Sequence, residues 1–197
     1  MSRPVVLGLT GSIGMGKSAT AAMFRARGVP VHDADACVHG LYGPGGAAAA
    51  RIGEAFPGTL APDGAVDRAA LRARVLDDPA RMRALEALVH PLVRAAEADF
   101  LAAQAGAPLA VLDVPLLYET GGEARCDAVA VVSAPAEIQR ARVLARPGMT
   151  EATFAAILAK QMPDAEKRRR ADFVIETGEG FPHAEAQVEA VIATLRR

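Results

Sequence analysis

Five short apolar runs punctuate the chain, at residues 4–10, 29–33, 109–114, 128–133 and 172–176. Apolar residues follow one another within them with little alternation, as in strands covered on both faces of a parallel sheet. Between the runs, apolar positions recur at helical spacing over 17–27, a long stretch from 35 to 105, 135–146, 150–162 and 183–196. Alternating strand and helix predicts an α/β fold, a three-layer doubly wound parallel sheet of about five strands. Ligands of such sheets bind beyond the carboxyl ends of the strands.

The 35–105 stretch far exceeds an ordinary crossover. Breaks at Gly43-Pro44-Gly45-Gly46, Pro57-Gly58 and Pro62-Asp63-Gly64 divide it into several helices. His90-Pro91 interrupts a helical pattern running from about 80 to 105, and Pro91 is expected to break that helix or start a new one. We read one domain over 1–197, with a helical substrate-binding insertion at about 36–105. A second, arginine-rich helical excursion at about 138–170 reads as a lid; it carries Arg140, Arg142, Arg146 and Arg168-Arg169-Arg170.

The first strand runs into Gly11-Ser12-Ile13-Gly14-Met15-Gly16-Lys17-Ser18, which fits G-x-x-x-x-G-K-[ST], the phosphate-binding loop. Its glycine spacing does not fit the dinucleotide fingerprint G-x-G-x-x-G. Backbone N–H groups of 11–18 would hold phosphate oxygens, helped by the positive end of the following helix. Lys17 would reach the β- and γ-phosphates, and the Ser18 hydroxyl would bind Mg²⁺. The only lysines are Lys17, Lys160 and Lys167, so a lysine kept in the loop points to a need for a compact, flexible charge. The chain is expected to bind a nucleoside triphosphate.

Carboxylates at strand ends supply candidate chemistry. In His32-Asp33-Ala34-Asp35, Asp33 is the natural cap of the next helix and Asp35 the candidate general base. Asp113, ending the third strand, reads either as an acid assisting Mg²⁺ or as the cap of the next turn. Pro115, Leu116 and Leu117 would line the substrate pocket. His90 either faces the cleft and binds substrate or is a satisfied helix-end histidine. Arg142 and Arg146, four apart on one predicted helix face, either close over the triphosphate or form a solvated face; a kinase's need for a water-excluding lid favours closure.

Composition narrows the field. Hydrophobic content of 51%, charged content of 23% and a net charge of −1 describe a globular chain with no global field for nucleic acid or an anionic membrane. Cys37 and Cys126 are too few for a disulfide framework, and with no leader pattern the expected location is a reducing cytoplasm. No apolar run approaches the ~20 residues of a membrane span. The chain contains no asparagine, which removes the Asn-Lys-x-Asp motif of a guanine-specific switch.

Taken together, these residues resemble the dephospho-coenzyme A kinase family over nearly the whole chain. The resemblance is carried by Leu9 through Ser18, Asp33-Ala34-Asp35, Val66-Asp67-Arg68 with Leu71-Arg72, Leu85-Glu86 and His90-Pro91. It continues through Val114-Pro115-Leu116-Leu117-Tyr118-Glu119, Gln139 with Arg142 and Arg146, Gln161, and Ala171-Asp172. It implies a fold of P-loop kinase type and ATP-dependent phosphorylation of the ribose 3′-hydroxyl of dephospho-CoA, with Mg²⁺. By resemblance, Thr10, Gly11, Ser12, Ile13, Gly14, Met15, Gly16, Lys17, Ser18 and Ala19 hold ATP, together with Arg142 and Arg146. Asp35, Lys17 and Arg142 are then catalytic. Asp35, His39, His90 and Pro115–Leu117 meet the substrate, whose pantetheine arm the insertion would hold. The expected partner is that small molecule, with no nucleic acid or membrane, for a monomer or weak homo-oligomer. Three positions depart from the family: Ser12 replaces a usual glycine, His39 a frequent arginine, and Glu176-Thr177-Gly178 an Asn-x-Gly.

Overall fold

The computed structural model describes residues 3–196. Five strands, β1 (Val5–Thr10), β2 (Val31–Asp33), β3 (Leu109–Asp113), β4 (Ala128–Ser133) and β5 (Phe173–Glu176), form one parallel sheet in the order β2-β3-β1-β4-β5. Leu7 of β1 lies opposite Val111 of β3 on one side and Ala128 of β4 on the other. The unalternated apolar runs have the expected cause, since every residue of β3 and β4 is buried. In β4, Ala128, Ala130 and Val132 enter one core while Val129 and Val131 enter another. The first core is filled by Ala21, Met23 and Phe24 of helix α1 (Lys17–Ala26) and by Ala184, Val188, Val191 and Ile192 of the C-terminal helix (Phe181–Leu195). The second takes Leu117 and Tyr118, with Met162 and Ala171 packed against it.

The chain divides into two compact units, one running through His32 and resuming at Gln104, the other Asp33–Ala103. The second unit contains helices α2 (Ala34–Tyr42), α3 (Ala49–Ala55), α4 (Arg68–Val75) and α5 (Pro79–Ala103). It has its own core, including Ile52, Phe56, Leu71, Val75 and Val89. Three starts are capped by aspartates: the Asp33 side chain accepts from Ala36 N–H, Asp67 from Ala69 and Ala70 N–H, and Asp78 from Ala80 and Arg81 N–H. The three predicted breaks fall between α2 and α4, outside the helices.

The expected break at Pro91 does not occur, and α5 runs 25 residues straight through it. The proline removes one donor, that to the Ala87 carbonyl. Leu85, Leu88 and Val89 before it, and Leu92 and Val93 after it, all pack on the unit's core. Tertiary burial therefore holds both halves in register.

Three short helices follow β4: α6 (Ala136–Leu144), α7 (Glu151–Leu158) and α8 (Asp164–Arg170). The C-terminal helix is thus α9. Helix α6 stops short of the predicted 146, because Arg146 precedes Pro147, whose ring disfavours helical backbone in the residue before it. No helix among the described residues is long and apolar enough to cross a membrane.

Candidate functional site

Strand β1 delivers the chain into the glycine-rich loop, and α1 begins at Lys17. Gly14 and Gly16 carry φ of 80° and 95°, left-handed backbone that a side chain would strain. Gly16 is the N-cap of α1 and offers no side-chain cap, so the first-turn N–H groups remain available to an anion. No non-glycine residue among those described has positive φ, so Ser12, expected to depart from a usual glycine, sits in backbone that a serine adopts without strain. It is also buried, at 4% exposure.

Side chains far away in sequence hold this loop. The Gln139 amide of α6 donates to the Ile13 carbonyl at 2.8 Å, and Ile13 N–H donates to Gln161 Oε1 at 3.1 Å. Ala134 N–H donates to Met15 Sδ at 3.1 Å. The Thr177 hydroxyl, just past β5, donates to the Met15 carbonyl at 2.7 Å. Arg142 in turn donates to Thr177 twice, at 2.9 Å to its hydroxyl and 2.7 Å to its carbonyl. That fork fixes the guanidinium plane beside a cavity of about 260 Å³ lined by Gly16, Ala19, Thr20, Arg142, Thr177 and Phe181. Arg146 lies past the end of α6 and is exposed, so the expected pairing of Arg142 and Arg146 on one helix face is corrected by the early helix end.

Asp113, buried at the end of β3, accepts from Lys17 Nζ at 2.5 Å. Its carboxylate therefore sits beside the first turn of α1. Two residues on, the Pro115 carbonyl accepts from the buried Thr10 hydroxyl at 3.0 Å, which turns Thr10 toward the strand-3 connection. Leu117 is fully buried and Leu116 is 40% exposed, so of these two only Leu116 is free to meet a ligand. Lys167 of α8 is completely buried, pairing with Glu119 Oε1 at 2.9 Å and reaching the Pro115 carbonyl at 3.3 Å. Arg168 pairs with Glu176 and Ser133, Arg169 and Arg170 pair with Glu166, and Arg170 lies over the Tyr118 ring. The triplet is thus ion-paired. The larger cavity beside it, about 610 Å³, is lined by none of residues 11–18.

In the Asp33–Ala103 unit, the helix starting at Ala34 separates the two aspartates. Asp33 is engaged as the N-cap, while Asp35 stands exposed in the first turn of α2. His39 Nδ1 lies 3.5 Å from an Arg68 nitrogen, and both side chains are exposed. His90 is exposed on the uninterrupted α5 and is therefore not a helix-end residue. No group of three or more acidic, histidine or cysteine side chains among the described residues could hold a metal alone.

Sequence reading missed two members of this arrangement. Thr177, read only as part of a departure from Asn-x-Gly, links Arg142 to the loop. Lys167 is fully buried, and its one cue in the sequence is that lysine is otherwise replaced by arginine almost throughout.

A family model for dephospho-CoA kinase matches residues 5–182. A dephospho-CoA kinase of Mesorhizobium japonicum is 62% identical over 98% of this chain and 97% of its own length. A crystal structure from Thermus thermophilus, 38% identical, superposes with a TM-score of 0.86 over 98% of this chain and 99% of that one. The dephospho-CoA kinase of Campylobacter jejuni, 22% identical with a TM-score of 0.68 over 98% of both chains, shares the fold. With the phosphate loop intact and the match running almost end to end, the chain belongs to the dephospho-CoA kinase family.

Proposed function

We propose that this protein transfers the γ-phosphoryl group of ATP to the ribose 3′-hydroxyl of dephospho-CoA, giving CoA and ADP. The observation that carries the reading is a phosphate loop whose left-handed turns fall on Gly14 and Gly16, with Lys17 opening α1, in a chain that the family model matches over residues 5–182. The N–H groups of the loop and Lys17 hold the triphosphate. The cavity bounded by Arg142, Thr177 and Phe181 suits the adenine ring, since a fixed guanidinium plane offers a flat cationic face for stacking.

Asp35 is the general base in this reading. Asp33 is already engaged as a cap, which leaves Asp35 as the carboxylate of Asp-x-Asp able to orient and deprotonate an incoming hydroxyl. The helical unit that carries Asp35, His39 and His90 is assigned to the dephospho-CoA substrate, and α6 to α8 act as the water-excluding cover.

The donors at the loop fit Mg²⁺ only in company with phosphate oxygens. Ser18 supplies one hydroxyl, and the Lys17–Asp113 pair brings one buried carboxylate alongside. That is a sparse, hard oxygen set of the kind Mg²⁺ completes with substrate phosphates. When bound, the ion would neutralise negative charge on the triphosphate, with Ser18 and Asp113 the residues that would hold it.

A coupled ADP-release assay with dephospho-CoA, adenosine, AMP and shikimate as alternative acceptors tests the reading. ADP should appear with dephospho-CoA and not with the others. No release with dephospho-CoA overturns it.

A further inference from the structure

A buried ion pair lies outside the phosphate loop. Lys167 is fully buried, and its ammonium is 2.9 Å from Glu119 Oε1. Glu119 Oε2 is buried too and has no hydrogen-bond partner among the described residues. Taking two charges out of water is unfavourable, and such a pair is often no more stabilising than apolar residues of the same volume. Stability alone is therefore a weak account of why a kinase core would keep it.

What the pair touches is more telling. Lys167 Nζ also donates to the Pro115 carbonyl at 3.3 Å, the same oxygen that accepts from Thr10 at 3.0 Å. Pro115 lies two residues past Asp113, whose carboxylate faces Lys17. On the other side, Glu119 Oε1 accepts from Met162 N–H at 2.7 Å. The residue before Met162 is Gln161, whose Oε1 takes the Ile13 N–H of the phosphate loop. One buried ion pair is thus joined, through hydrogen bonds and one or two covalent steps, to the end of β3 that carries Asp113 and to Ile13 of the phosphate loop.

We propose that Lys167 and Glu119 are positioning residues for phosphoryl transfer, holding Asp113 in place through Pro115 and Ile13 of the phosphate loop through Met162 and Gln161. The inference rests on the kinase reading above. The charges supply rigidity: a carboxylate with two donors on one oxygen tolerates little displacement of either, and in-line transfer is sensitive to displacements well below a residue's width.

The test compares the wild type with a Lys167→Met/Glu119→Gln double variant and with Gln161→Leu. The double change removes both charges, so no isolated charge is left buried, and Gln161→Leu cuts only the final link to Ile13. Kinetics are measured with ATP, Mg²⁺ and dephospho-CoA at a temperature where urea melts show each variant folded. The double variant should lose about 10-fold or more in kcat, with KM for dephospho-CoA within about 3-fold of wild type, because misplacement acts on the transfer step. Gln161→Leu should lose about 3- to 10-fold in kcat with the same split. A merely structural pair would lower the urea midpoint and leave kcat of the folded protein alone.

A folded double variant with kcat within about 2-fold of wild type overturns the proposal. If the double variant does not fold, an unchanged kcat in Gln161→Leu overturns it. An active wild type with unaffected variants sinks the positioning role alone, whereas a wild type silent on dephospho-CoA sinks the kinase reading and this inference together.

Discussion

Tyr118 packs beside Leu117, Val129 and Val131 at 6% exposure, and its hydroxyl has no hydrogen-bond partner among the described residues. Burial first, then the nearby Asp172 and Glu123 carboxylates, push its phenol up to about 12. An unfolded tyrosine titrates near ~10, so the neutral phenol is favoured in the folded state. The associated stability is complete below that pH and is lost as pH rises toward the folded value. Tyr118→Phe removes both the unsatisfied hydroxyl and the titration. It should unfold at the same or a higher urea concentration at pH 8, by up to ~1 kcal/mol, given the cost of an unpaired buried polar group. Between pH 10 and 11.5 it should lose less stability than wild type, and an equal loss in the two proteins would show that Tyr118 does not contribute. Asp35 poses the opposite kind of question, since it is exposed and makes no case for stability. Asp35→Asn should leave ATP binding intact and lower turnover ~10²–10⁴-fold, the range of a general-base contribution. Near-normal turnover would remove it from that role.

At the scale of elements, legibility in the sequence followed the distance over which the physics acts. The strands were readable because β4 is buried on both faces, so Ala128 through Ser133 could not alternate. The phosphate loop was readable because its requirement is local: Gly14 and Gly16 need left-handed backbone, and Lys17 must open the next helix. The departure at Ser12 brings no backbone strain, which only the backbone shows. What sequence did not reveal was contact across the chain, as between Ile13 and Gln161, separated by 148 positions, or Lys167 and Glu119. Helix α5 shows the same limit from the other direction. A local rule, that proline ends helices, lost to burial of Leu85, Leu88, Val89 and Leu92 on the unit's core. The helix still bears the cost of the missing donor at Pro91, an exposed position. Pro91→Ala should therefore stabilise the protein by roughly 1–3 kcal/mol, given the penalty for proline inside helices. Urea unfolding with an unchanged m-value would show it as a raised midpoint; a lowered midpoint would mean that the proline fits a bend the helix requires.

At the scale of the whole molecule, the decisive quantity is how ligand binding is coupled to folding. The described charges of the phosphate loop are few: Lys17 is the one lysine there, and it faces Asp113 rather than solvent, at 15% exposure. A ligand rich in phosphate oxygens competes for that ammonium and for the N–H groups opening α1, which exist as a cluster only in the folded chain. On the proposed function, ATP with Mg²⁺ binds the native state and not the unfolded one, and is expected to raise stability by mass action. At a free concentration near 100 times its dissociation constant the gain is ~2.7 kcal/mol. In a chain of this size 1 kcal/mol moves the midpoint by ~2–4 °C, so the melting temperature should rise by ~5–11 °C. Lys17→Ala relieves Asp113 of its counter-charge and removes the only side-chain cation of the loop. It should melt below wild type without ligand and show almost none of the ATP-dependent rise at the same concentration, as read by differential scanning calorimetry. The comparison separates two uses of one residue. A lower melting temperature with the ATP shift retained would make Lys17 a structural partner of Asp113 alone, whereas loss of the shift assigns the ammonium to the triphosphate.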